Sequence, residues 1–154
     1  MTPLTDQSLN PGYNTKYLFN TNINGSKIKC EERSPMVKSD FPLVYSCSGC
    51  SSAAQTANMI AIKMDRENIA EMSCIAGVGG DVKSLVKTAK SGRDIIAIDG
   101  CPLACCKSCL AKHDVQPTYH FDLSNFHVPK IKGEDPNPDH FLNAYNQILE
   151  LVAK

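Results

Sequence analysis

The chain has 154 residues, a length suited to one domain, and its sixteen basic residues balance sixteen acidic ones. With no net positive field to draw phosphate backbones or anionic headgroups, charge argues against nucleic acid and membrane surfaces as partners, and no apolar run approaches the roughly 20 residues that span a bilayer. Eight cysteines amount to about 5% of the chain, below the roughly 8–10% of disulfide scaffolds, so the set points to metal binding or thiol chemistry in a reducing compartment.

Residues 1–40 are rich in Asn, Thr, Ser, Lys and Glu and read as a polar extension to a body spanning residues 41–154. Within the extension, Lys16–Asn20 and Ser26–Cys30 flank Asn24-Gly25, a hairpin signal, with Cys30 as a surface thiol. The absence of a basic start followed by an apolar core in residues 1–20 gives the expectation of a soluble, cytoplasmic protein.

In the body, Pro42–Ser46 is short and apolar, as a strand buried on both faces should be. Ser51 or Ser52 caps a helix to about Asn68, whose Ala53, Ala57, Ile60, Ala61 and Met64 recur at helical spacing. Ile69–Ile75 is the second strand, and Gly77-Val78-Gly79-Gly80 turns the chain into a helix capped by Asp81. Asp94–Ile98 is the third strand, and Pro102 opens a helix that carries Cys105, Cys106 and Cys109. Thr118–Leu123 is the fourth, with Tyr119, Phe121 and Leu123 on one face and His120 on the other. Asn137-Pro138 then opens a last amphipathic helix. This alternation predicts an α/β fold: a small three-layer Rossmann-like or flavodoxin-like domain whose mainly parallel sheet has about four strands, ordered 2-1-3-4.

In such a sheet, ligands bind at the carboxyl ends of the strands, beside the switch in strand order. Cys47, Cys74 and Cys101 all follow strands at that end, and Cys47-Ser48-Gly49-Cys50 forms a C-x2-C turn. A C-x2-C pair between strand and helix suits either a metal or a dithiol oxidoreductase. A Cys-x5-Arg phosphate loop is ruled against, because the position six after Cys47 is Ala53. The four histidines lack ligand spacing, and Asp99 is expected to fix its loop through backbone hydrogen bonds.

The run from Val44 to Cys50, through Cys74-Ile75-Ala76-Gly77, to Asp99-Gly100-Cys101-Pro102-Leu103-Ala104-Cys105 resembles the DGC-domain family of zinc-binding proteins. The resemblance implies Zn2+ held by four cysteines, matching Cys47, Cys50, Cys101 and Cys105, with no defined reaction. Helix geometry agrees if the helix begins at Pro102: Cys101 and Cys105 then share a face about 6 Å apart along the axis, while Cys109 stands ~12 Å from Cys101. Cys74 and Cys109 are further thiols near the set.

Two other readings stay open. Cys47 or Cys101 could serve as the nucleophile of a thiol/disulfide redox or sulfur-transfer protein, and four thiolates also suit an iron–sulfur cluster. Whether the chain is an enzyme is left undecided. The partner is a protein or a small molecule, and association into a homo-oligomer is compatible with every reading.

Overall fold

A computed structural model describes residues 41–153. The expected hairpin and Cys30 lie outside the described residues. Strand β1 (Leu43–Ser46) is buried along its whole length, and so is β3 (Ile95–Asp99). They pair in parallel, Leu43 opposite Ile95 through Ser46 opposite Ile98. Strand β2 (Glu71–Met72) joins the free side of β1, and β4 (Tyr119–Asp122) the free side of β3. The order is β2-β1-β3-β4, all parallel, as expected from the sequence.

Helices cover both faces of the sheet. Helix α1 (Ser52–Arg66) begins where the Ser51 hydroxyl accepts the Ala54 N–H, and it buries the expected Ala53, Ala57, Ile60, Ala61 and Met64 stripe against the strands. Helix α5 (Pro138–Val152) starts at an Asn137 cap, with Pro138 in its first turn, and packs beside α1 through Ala144, Tyr145 and Ile148. On the other face, α4 (Cys105–Ala111) lies against β3, and α2 (Ile75–Gly79) packs between α4 and α3 (Lys83–Ala89). A 3-10 turn, Leu123–Phe126, follows β4. No helix among the described residues is long and apolar enough to cross a membrane.

Three local expectations are corrected. The second strand does not reach Ile75: as an edge strand it has only β1 to pair with, and after Ser73 donates to the Val44 carbonyl the chain coils into α2 through the glycine-rich segment. Asp81 does not cap the next helix. It sits in the left-handed region at φ 62°, Val82 takes the cap position, and the Asp81 carboxylate instead meets Lys112 Nζ at 2.6 Å and His113 Nε2 at 3.3 Å.

The third correction concerns α4, which starts at Cys105 instead of Pro102. Asp99 is the reason. Its carboxylate, 1% exposed at the end of β3, accepts the Cys106 N–H at 2.7 Å and the Lys107 N–H at 3.1 Å, so the helix begins where those amides meet it. Cys101–Ala104 forms a turn between strand and helix, with Ala104 left-handed at φ 49°.

Gly100 makes this connection sterically feasible. A Cβ at this position would stand 2.6 Å from the Ala53 carbonyl carbon and 2.7 Å from the Ala54 nitrogen, both backbone atoms that cannot swing aside. The exit of β3 therefore lies directly on the first turn of α1. Two stability predictions follow from these contacts, both read by urea unfolding. Gly100→Ala lowers stability by about 1–3 kcal/mol through overpacking. Asp99→Ala lowers it by about 1–3 kcal/mol, because two buried helix amides lose their acceptor, and Asp99→Asn by less, because one acceptor oxygen remains.

Candidate functional site

Cys47 directly follows β1. Its N–H donates to the Ile98 carbonyl at 2.9 Å, and its Sγ accepts the Gly100 N–H at 3.0 Å, so the two strand exits are latched through a sulfur. The side chain is only 8% exposed. Burial pushes the thiol up to about 11; the Gly100 N–H pulls it down by less, and the negative charges of Asp99, Cys105 and Cys101 push it up further.

Cys101 is half-buried in the turn after Gly100, and Lys130 Nζ donates to its Sγ at 3.2 Å. Cys105 and Cys50 are exposed, Cys105 on the first turn of α4 and Cys50 just before α1. Among the described residues, no three Cys, His, Asp or Glu side chains converge as a metal-ligating group. The donor chemistry suits a thiophilic ion, then, but the thiols stand as separate neighbours and do not form a ready-made cage.

The other thiols take distinct places. Cys74 is exposed at the cap position of α2. Cys106 is buried, and burial together with the Asp99 carboxylate drives its thiol far above the ordinary range. Cys109 lies one turn beyond Cys105 with its Sγ against Gly79: a Cβ on that glycine would come within 2.8 Å of the sulfur. Because α4 starts late, Cys101 is not on the helix, and the helical distance that set Cys109 apart from Cys101 does not apply.

Asp99 does fix its loop through backbone hydrogen bonds, as expected, and it also meets His120 Nε2 at 3.1 Å. The register of β4 places His120 opposite Ala97, on the Asp99 face of the sheet, so strand alternation could have suggested this pair. His113 is engaged with the Val78 carbonyl at 2.8 Å. Lys130 had no sequence signal, being 29 residues from the thiol it touches.

Alkylation should sort these thiols. In metal-free protein at pH 8, a thiol with a pKa near 11 is ionised at the level of about 10⁻³, so Cys47 reacts slowly with iodoacetamide and speeds up as pH rises toward 11. Cys106 is slower still, whereas exposed Cys50, Cys74 and Cys105 react first. Peptide mapping of a time course checks the order.

The DGC domain matches residues 43–148. The chain is also 60% identical over 104 residues to the Anaerobic and virulence modulator AnvM of Pseudomonas aeruginosa, a match spanning 68% of this chain and 78% of that protein. No solved structure matches it. The matched span runs from the start of β1 into α5 and takes in the C-x2-C turn, Cys74, and the Asp99-Gly100-Cys101 exit of β3. On this evidence the chain belongs to the DGC domain family.

Proposed function

We propose that this protein binds one Zn2+ through Cys47, Cys50, Cys101 and Cys105, and that the centre serves structure, metal handling or partner docking with no reaction of its own. The observation that carries this reading is the latch between Cys47 Sγ and the Gly100 N–H, which joins the exits of two adjacent central strands, each leading into a cysteine-bearing loop, at the carboxyl end of the sheet. Three of the four thiols, at 50, 101 and 105, are exposed or half-buried. Reorienting them costs on the order of 1 kcal/mol each, little beside the ~10–16 kcal/mol a structural zinc site returns. When bound, a four-thiolate zinc is closed and supplies cross-linking, with no open position for a substrate.

A thiol redox or sulfur-transfer role ranks second. The geometry favours Cys101 over Cys47 as its nucleophile, since Cys47 is buried and held protonated while Cys101 is partly open with an ammonium at its sulfur. An iron–sulfur cluster would draw on the same donors.

Protein purified without oxygen is expected to be colourless and to carry about one zinc per chain. Brown protein with iron and sulfide would point to the cluster, and a metal-free chain cycling between dithiol and disulfide to the redox reading. Single Cys→Ser variants at 47, 50, 101 and 105 should lose the zinc, and those at 106 and 109 should keep it. Loss in Cys109→Ser with retention in Cys101→Ser would move the centre to the contact between α2 and α4.

A further inference from the structure

The connection between β4 and α5 is bound closely to the first cysteine loop. Ser52 Oγ donates to the Pro129 carbonyl at 2.9 Å and accepts the Ile131 N–H at 3.1 Å, while the Ser52 N–H donates to the Ile131 carbonyl at 2.8 Å. The Gly133 N–H donates to the Cys50 carbonyl at 3.2 Å, and Ser51 and Lys132 form an antiparallel bridge. Residues 129–133 are therefore a strap whose backbone holds the Cys50–Ser52 segment, and the same strap carries Lys130 to within 3.2 Å of Cys101 Sγ on the other loop.

We infer that Lys130 is a positioning residue for the thiolate centre: it offsets the negative charge on Cys101 from a strap whose backbone also holds the Cys50 loop. This rests on the zinc reading above. Four thiolates around one Zn2+ leave a net charge of 2−, and donors to the sulfurs are what make such a charge tolerable in a partly buried site. Gly100 supplies one donor, neutral and buried, to Cys47. Lys130 supplies a cation to Cys101, and because it is exposed its contribution is sensitive to ionic screening.

The test is zinc affinity of the full chain, measured by competition with a chromophoric chelator at low salt and at about 1 M salt, where the screening length falls to ~3 Å. Lys130→Gln should bind zinc about tenfold more weakly than the wild type at low salt, and the gap should narrow at high salt. Lys130→Arg should keep most of the affinity, and Lys132→Gln, a charge change on the same strap, should leave it unchanged. The thermal midpoint of metal-free Lys130→Gln should equal that of the wild type. Wild-type protein that binds zinc no better than Lys130→Gln overturns the role of Lys130 and leaves the zinc reading standing. A loss equally large at both salt concentrations, or a lowered midpoint, overturns it in favour of a merely structural side chain. Wild-type protein that takes up no zinc sinks the zinc reading itself, and the role of Lys130 with it.

Discussion

Much of this molecule depends on how closely the backbone at Gly100 approaches the first turn of α1. No side chain fits there, since the neighbours are main-chain atoms of Ala53 and Ala54. The approach buries the Gly100 N–H, and a buried amide needs an acceptor. Cys47 Sγ is that acceptor. One contact thus sets the spacing of β3 from α1, satisfies a main-chain donor, and brings the loop after β1 beside the loop after β3. The sulfur acts as a structural atom as well as a prospective ligand.

Asp99 does the complementary work on the opposite face of the sheet. It fixes the amino end of α4 and holds the His120 ring from β4, so three consecutive elements meet at one carboxylate. Its charge also bears on the thiols, raising those of Cys47 and Cys106. A carboxylate already engaged by two amides and an imidazole is poorly placed to act as a general base. Its place in the Asp99-Gly100-Cys101 run follows from architecture: an anchor, a close approach, then a thiol.

The elements governed by their own residues could be read from the sequence. The apolar runs of β1 and β3, the Ser51 cap and the Ala and Met stripe of α1, and the Asn137-Pro138 start of α5 all carry local signals, and the strand order followed from the alternation of elements. What could not be read was decided by side-chain contacts that carry no periodic or local capping signal. Pro102 looked like a helix start, but the Asp99 carboxylate reached the amides of Cys106 and Lys107 and moved the start to Cys105. Val82 took the cap position from Asp81, whose carboxylate went to Lys112 and His113. That Cys47 and Cys101 follow neighbouring strands at the carboxyl end of the sheet was legible because parallel strands share an end; the Lys130 contact was not, because it depends on the path of a polar connection with no periodicity.

The late start of α4 has a mechanical consequence. Cys101 follows the sheet and Cys105 opens the helix, and Cys101–Ala104 is a turn with one left-handed residue in place of a helical ladder. The gap between the two sulfurs is therefore not fixed by helical pitch. It is set by a short turn, left-handed at Ala104, that links a strand exit latched at Gly100 to a helix start held by Asp99. An inserted or deleted residue in that turn would reset the gap between the two sulfurs without altering the residues of the strand or of the helix on either side.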